Sequence, residues 1–313
     1  MQRHFAETTR EFDLADRELG EPSDKQRADW WEEKVWIQLE RMHLFYWQGM
    51  VKEMRELADQ FRSVIIERGA AWQRARFLKT LALSLLMDSR FRPSLECVEL
   101  ARRAVAASEE ANNLAEAVHV NFVLGLIELF HGDLRDAAEQ CGKAFRMAER
   151  TGDLVLQARC LTYRAVAYRR LGDVPRCRTE AEKTLVLAEE LKMVEYVAMA
   201  KASLAWAAWR EKNEGEAEEL ASEALKLWHG MDDPYSMDWM ALWPLIAIAF
   251  ARKDIARAIE FANGLLEENQ HPPPEKLSAV VRKACEQWQN GVQEEAASGL
   301  AVAIKIAKEL HYI

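Results

Sequence analysis

A segment of 14 residues recurs along the second half of the chain, and it constrains the fold more than any other feature. Four copies align, beginning at Gly132, Gly172, Lys212 and Lys253, so successive copies start 40, 40 and 41 residues apart. A fifth copy begins at Gly291. Self-similarity at a period of this size is the signature of a repeat architecture, in which each unit buries its apolar face against its neighbours.

Small or apolar residues recur at fixed places in each copy. Five residues after each start stand Ala137, Cys177, Ala217, Ala258 and Ala296. Seven residues later stand Ala144, Thr184, Ala224, Leu265 and Ala303, and twelve residues before the first set stand Gly125, Ala165, Ala205, Ile246 and Ala284. A spacing of seven keeps side chains on one helix face, and small side chains let two helices approach closely. The pattern predicts a repeated helical hairpin.

The segment starts are typical of turns between helices. Gly132-Asp133 and Gly172-Asp173 each supply a glycine for the end of one helix and an acid for the start of the next. Pro175 would fall in the first helical turn, where a missing N–H costs nothing.

These features resemble the tetratricopeptide repeat, although the period is about 40 residues rather than the usual 34. Three stretches, WWEEKVWIQLERMHLFYWQGM, LQARCLTYRAVAYRRLGDV and AKASLAWAAWREKNEGEAEELASEALKLW, resemble more closely the repeat sensor region of bacterial multidomain STAND-type ATPase regulators, which are linked to nucleotide cyclase or DNA-binding domains. The resemblance covers roughly residues 24–313 and includes no ATPase, cyclase or DNA-binding segment, so none of those activities is implied.

The expected fold is therefore all-α, a tetratricopeptide-like right-handed α-solenoid of about seven antiparallel helix pairs. Residues 1–24 are expected to form an N-terminal helix, a partial repeat, and a turn. Residues 25–313 are expected to form a single superhelix, with a possible hinge at the proline-rich residues 270–274. The partial repeat also suggests a fragment of a larger protein.

Charge, hydropathy and cysteine content limit the cellular compartments and the classes of partner that we expect for this chain. The formal net charge of −9 disfavours direct binding of nucleic acid, because phosphate backbones are repelled. The longest apolar run, Ala241–Ala251, is too short for a bilayer, so no membrane is expected. The five cysteines form no C-x-x-C pair, which is typical of reduced thiols in a cytoplasmic protein: Cys97, Cys141, Cys160, Cys177 and Cys285.

No catalytic constellation can be assembled from the sequence. The chain lacks a glycine-rich phosphate loop and the common hydrolase and metalloprotease motifs. Two Glu-x-x-His pairs, Glu116/His119 and Glu128/His131, fall on one predicted helix without matching carboxylates elsewhere, and we interpret them as ordinary surface or groove residues. The prediction is a protein that is not an enzyme and needs no cofactor or metal.

In tetratricopeptide arrays the first helix of each pair lines the concave groove, and here those helices are rich in tryptophan and arginine. Both residue types recur at binding hot spots, and arginine can hold a carboxylate through two hydrogen bonds. The candidate groove residues are Trp36, His43, Tyr46, Trp47, Arg159, Arg169, Arg170, Trp206, Trp209, Arg210, Trp239 and Trp243. Packing between neighbouring helices is the alternative role for any of these aromatic residues.

The leading hypothesis for function is a non-enzymatic recognition or sensor module. It would bind a protein segment or a small effector in its groove, as part of a signalling or transcription-regulating ATPase. The alternative is a structural adaptor or oligomerisation scaffold without a small-molecule ligand, and a homodimer is compatible with either.

Overall fold

The structure, a computed structural model, describes residues 5–20, 28–232 and 235–313. Within these residues all regular structure is helical, as predicted. The helices are α1 (Phe5–Leu19), α2 (Ala28–Gln48), α3 (Val51–Arg68), α4 (Ala71–Asp88), α5 (Leu95–Ala111), α6 (Leu114–His131), α7 (Leu134–Thr151), α8 (Leu154–Arg170), α9 (Val174–Glu190), α10 (Val194–Arg210), α11 (Glu214–His229), α12 (Trp239–Ala251), α13 (Ile255–Gly264), α14 (Glu275–Gln289) and α15 (Gln293–Glu309). The turn predicted at residues 20–24 lies largely outside the described residues.

The helices belong to two compact units, which we call unit 1 (Met1–Asp133) and unit 2 (Leu134–Ile313). In unit 1, α2 packs against α3 and α4 against α5. In unit 2, α8 packs against α9, α10 against α11, α12 against α13 and α14 against α15. These are six of the seven helix pairs that the sequence pattern predicts; the seventh, Leu114–Phe130 with Leu134–Arg150, has one helix in each unit. A single superhelix over residues 25–313 stays a prediction.

The small residues of the repeat lie where the sequence pattern requires them. On the second helices of unit 2, Ala137, Cys177, Ala217 and Ala258 have no exposed surface. On the first helices, Ala205 and its counterparts in the repeat are also buried. Ala165, Ala181 and Leu204 form one such contact between α8, α9 and α10. Close approach at small side chains explains why the pairs stack with this period.

A left-handed residue ends most helices of unit 2. Glycine fills this position at Gly152, Gly172 and Gly291, and lysine fills it at Lys192, Lys212 and Lys253. Asp173 then caps α9 by accepting a hydrogen bond from the Arg176 N–H at 3.1 Å. The predicted turn chemistry at Gly172-Asp173 is confirmed, and Pro175 lies in the first turn of α9.

The sequence pattern predicts a helix over Tyr235–Arg252, and helix α12 departs from it at the N-terminal end. It begins at Trp239, because the preceding residues form a turn held by the chain that follows α13. The His271 N–H donates to the Ser236 carbonyl at 3.0 Å, and the Gln270 Nε2 donates to the Tyr235 carbonyl at 3.2 Å. Pro244 lies inside α12 without ending it.

The linker at residues 270–274 was predicted as a possible hinge. Gln270 and His271 are buried, and the Gln270 Oε1 accepts a hydrogen bond from the Asp238 N–H at 3.0 Å. At the other end, the Ser278 hydroxyl donates to the Pro273 carbonyl at 2.9 Å. Hydrogen bonds therefore hold the linker at both ends. Hinge motion there stays a prediction.

One described helix, α6, has the length and apolar composition of a membrane span, and 67% of that stretch is buried inside the structure. Such burial is what a core helix of a packed unit shows, since apolar side chains there are covered by neighbouring helices.

Candidate functional site

The first helices of successive pairs lie side by side in unit 2, where α10 packs against both α8 and α12. This layer brings together five of the residues that the sequence analysis singled out. We call them the inner cluster: Arg169, Arg170, Trp206, Trp239 and Trp243.

Arg169 is at the centre of the inner cluster and has no exposed surface. The Cζ atom of its guanidinium lies 5.8 Å from the ring centroid of Trp206 and 5.2 Å from that of Trp239. Its Nη1 donates to the Ala202 carbonyl at 3.2 Å, and its Nη2 donates to the Tyr312 carbonyl at 3.0 Å. A cation stacked between aromatic faces and held only by carbonyl oxygens is an unusual arrangement for a buried arginine.

The electrostatics of Arg169 follow from this burial. Loss of water lowers the pKa of Arg169 from 12.5 to about 9; Cys177 opposes this shift, and the positive charge of Arg170 adds to it. Among the described residues, Arg169 has no carboxylate partner. A buried charge without a counter-ion is costly unless other groups compensate it, and here the compensation that the structure shows is two carbonyl oxygens and two aromatic rings.

Each member of the inner cluster also has an unused hydrogen-bond donor. The Nε atoms of Arg169 and Arg170 and the indole Nε1 atoms of the three tryptophans are buried without a hydrogen-bond partner among the described residues. Leaving a buried donor unsatisfied costs roughly 1–3 kcal/mol, and native structures contain few such groups. Five of them in one place form a surface rich in donors and poor in acceptors.

The residues after α15 reach into the same place. The Tyr312 ring lies 5.2 Å from the Trp239 ring at an interplanar angle of 74°, and 6.3 Å from the Trp243 ring. The Arg170 Cζ lies 4.6 Å from the Tyr312 ring centroid. Tyr312 and Ile313 are only 3% and 2% exposed. The inner cluster is thus covered by a segment of the chain itself.

The other predicted residues of unit 2 lie around this cluster or apart from it. Arg210 is exposed and places its Cζ 5.2 Å from the Trp206 ring centroid. Trp209 faces the Lys308 ammonium at 5.6 Å and lines a cavity of about 580 Å³ between α10, α12 and α15. Arg159 lies beside the Tyr196 ring, 6.0 Å from its centroid. Their role in binding stays a prediction.

Four predicted residues belong to unit 1 instead. Trp36 packs against Trp72 with ring centroids 5.2 Å apart, and His43 stacks on Tyr46 at 6.5 Å. Trp36 and His43 line a cavity of about 350 Å³, which we call the unit 1 pocket; its other ionisable lining residues are Arg76, Lys79, Glu116 and His119. The side chain of Trp47 lies outside the described part of the chain.

The cations of the unit 1 pocket have carboxylate partners. Arg76 pairs with Glu40 at 2.6 Å, and Lys79 pairs with Glu116 at 2.7 Å. Burial, together with the positive charges of Arg76 and Lys79, lowers the pKa of His43 from 6.5 to about 4. His43 is therefore neutral at physiological pH, and the pocket is electrostatically balanced.

The thiols and the potential metal ligands of the described residues bear on whether the chain could hold a nucleophilic or a metal site. Burial raises the pKa values of Cys97, Cys177 and Cys285 to about 11, 12 and 11. No group of three or more His, Cys, Asp or Glu side chains there could hold a metal ion. Glu116, of the Glu116/His119 pair, is used in the ion pair with Lys79.

Sequence reasoning missed two features. Tyr312 follows the last predicted helix, and only an apolar Tyr-Ile pair signals its burial. The other is a further pocket, of about 520 Å³, which lies along α7, α8 and the start of α9. Four arginines from different turns and helices line it: Arg135, Arg146, Arg164 and Arg176. No spacing rule links these four positions in the sequence.

Comparisons with known proteins identify the fold of the chain but assign it to no family. No family model matches the sequence, and no curated protein matches it. Among solved structures, NprR in complex with its cognate peptide NprX is 11% identical, with a TM-score of 0.68 over 96% of this chain and 86% of that one. A Rap protein complexed with Competence and Sporulation Factor is 12% identical, with a TM-score of 0.70 over 98% and 81%.

A third similar structure is a STAND protein with a tetratricopeptide repeat sensor from Pyrococcus horikoshii. It is 15% identical, with a TM-score of 0.58, and the match covers 94% of this chain but 42% of that protein. At such low sequence identity, structural similarity is evidence for a shared fold alone. The chain has the tetratricopeptide-like α-solenoid fold that these proteins share.

Proposed function

We propose that this chain is a non-enzymatic recognition module that binds an extended peptide segment at the inner cluster of unit 2. The observation that carries the proposal is the set of five buried donors without acceptors around Arg169. An extended peptide offers a carbonyl oxygen at every residue, so it supplies the acceptors that the cluster lacks.

The aromatic walls of the cluster fit the same kind of ligand. Trp206 and Trp239 present large apolar faces on either side of a cation, which is the composition of binding hot spots. Two proteins that share the fold have structures with a bound factor, the cognate peptide NprX in one and Competence and Sporulation Factor in the other. The first of these neighbours supports a peptide over a small effector as the ligand class.

The chemistry of the described side chains favours binding over catalysis. The thiols with raised pKa values are protonated at neutral pH, and a protonated thiol is a poor nucleophile. The inner cluster contains donors and aromatic rings but no general base, so it can hold a ligand without transforming it.

The setting we propose is the sensor arm of a cytoplasmic signalling or transcription-regulating ATPase. The STAND protein of similar fold has its tetratricopeptide repeats as a sensor, within a chain of which the match covers 42%. In such an arrangement, peptide binding at the repeats would change the state of an attached module.

The test is a titration of tryptophan fluorescence with pools of synthetic peptides of five to eight residues. We expect at least one pool to shift the emission, because Trp206, Trp239 and Trp243 lie in the site. Arg169→Met should then weaken binding at least about tenfold while leaving the helical circular dichroism unchanged. Arg257→Met, at an exposed arginine of α13 outside the candidate site, is the matched control and should bind almost as well as the unaltered chain.

Two outcomes would overturn the proposal. One is equal peptide affinity in the Arg169→Met and unaltered chains. The other is no response to any pool together with a tight homodimer in light scattering, which would favour a scaffold.

A further inference from the structure

We infer that the segment His311-Tyr312-Ile313 is a displaceable internal ligand of the inner cluster, so the site selects peptides with an aromatic residue followed by an aliphatic one. The inference rests on the proposed function, because it names the ligand chemistry and the regulation of that site. The cluster would bind an external peptide only in competition with this segment.

The backbone after α15 turns so as to place Tyr312 in the cluster. The His311 N–H donates to the Lys308 carbonyl at 3.1 Å, and the Tyr312 N–H donates to the Ala307 carbonyl at 2.8 Å. His311 has a φ of 57°, in the left-handed region that favours glycine. The same left-handed turn ends other helices of unit 2, as at Lys192 and Lys212, and here it carries the chain back so that Tyr312 reaches the cluster.

Those contacts are of the kind that a bound peptide would make. The Tyr312 carbonyl accepts from the Arg169 Nη2 at 3.0 Å across 143 residues of sequence. The Tyr312 ring packs edgewise on Trp239 and lies under the Arg170 guanidinium, and Ile313 beside it is buried. One backbone acceptor, one aromatic ring and one aliphatic side chain are therefore recognised together.

The fit is incomplete, which argues for a replaceable ligand rather than a permanent part of the core. With the segment in place, the Nε of Arg169 and the indole N–H groups of Trp239 and Trp243 still have no acceptor among the described residues. Permanent cores satisfy nearly all such donors. A longer or better-placed peptide could satisfy more of them and so displace residues 311–313.

The test uses a labelled peptide with the sequence of residues 308–313, Lys-Glu-Leu-His-Tyr-Ile, and fluorescence anisotropy. It compares the unaltered chain with the double variant Tyr312→Ala and Ile313→Ala, which keeps its length but loses the internal ligand. The same peptide with alanine in place of its tyrosine and isoleucine is the probe control. Adding Arg169→Met to the double variant is the site control.

We expect the double variant to bind the labelled peptide at least about tenfold more tightly than the unaltered chain, because a tethered segment competes at an effective concentration in the millimolar range. The alanine peptide and the Arg169→Met triple variant should both lose this binding.

Three results would overturn the inference: equal affinity of the two chains, no binding to a double variant that keeps its helicity, or loss of helicity in that variant, which would make the segment a structural staple. The outcome is separable from the proposed function. Tight binding of the labelled peptide by the double variant, with no pool bound by the unaltered chain, would support the internal ligand and reject external peptide recognition.

Discussion

The unit 1 pocket and the inner cluster of unit 2 are built from the same residue types on the same class of helix. In the pocket, Arg76 and Lys79 face Glu40 and Glu116 at 2.6 and 2.7 Å, so each cation has its counter-ion. In the cluster, Arg169 meets only backbone carbonyls and aromatic rings. Tryptophan and arginine content alone therefore does not distinguish the two sites. They differ in whether each cation has a carboxylate counter-ion.

The largest effect should come from breaking a pair in the unit 1 pocket. Glu116→Ala removes the counter-ion of Lys79, whose side chain is 15% exposed, and should cost about 1–3 kcal/mol of the free energy of unfolding. Urea unfolding followed by circular dichroism measures it. Glu110→Ala removes a carboxylate that is 64% exposed from Arg74, and as the matched control it should cost less than about 1 kcal/mol. Equal costs would mean that the pocket is not a closed ion-pair site.

His43 should make the stability of the chain depend on pH. Its folded pKa of about 4 is below its ordinary value of 6.5, so between these values the unfolded state binds a proton that the folded state does not. Stability should therefore be fully present above pH 6.5 and fall as the pH drops towards 4. His43→Phe keeps the aromatic stack and should flatten this part of the urea-midpoint profile; an unchanged profile would show that the histidine is protonated in the fold.

Arg169→Met should change the free energy of unfolding by less than about 1 kcal/mol, in spite of the complete burial of this residue. Replacing a buried charge that lacks a counter-ion with an apolar side chain of similar length is often neutral or stabilising. Urea unfolding of this variant and of Glu116→Ala under the same conditions compares the two changes in the free energy of unfolding directly. A loss larger than that of Glu116→Ala would mean that Arg169 serves stability, and the cluster would then be a packing device.

The smallest effect should come from Arg210→Ala. Arg210 lies over the Trp206 ring from the exposed side, and an exposed cation–π contact contributes about 0.5–1 kcal/mol. Thermal unfolding should show little change, and the peptide response should persist. A large loss of peptide affinity in this variant would move the site from the buried cluster to its exposed rim.

The repeat and its helix pairs could be predicted from the sequence because they depend on local spacing. Ala217 and Ala258 are buried because a period of about 40 residues returns each small side chain to the same helix contact. The Gly172-Asp173 turn needs a left-handed residue and a cap, and both can be recognised in two letters.

The candidate site could be predicted only in part. The tryptophans and arginines of the inner helices were identified from residue type and periodicity. Their burial could not be predicted, since it involves contacts between distant residues, such as that of Tyr312 with Arg169 across 143 residues of sequence. The start of α12 was missed for a similar reason, because the turn before Trp239 is held by Gln270 and His271. Contacts between distant residues carry no periodic signal.

Photo-cross-linking of a bound peptide tests the central claim most directly. A peptide selected from the pools, with a photoreactive diazirine side chain, would be irradiated on the chain, and the attachment sites would be mapped by mass spectrometry. The account predicts attachment to α8, α10 and α12 near Arg169 and Trp243, and much weaker attachment in the Arg169→Met variant. Attachment confined to the unit 1 pocket, or unaffected by Arg169→Met, would contradict it.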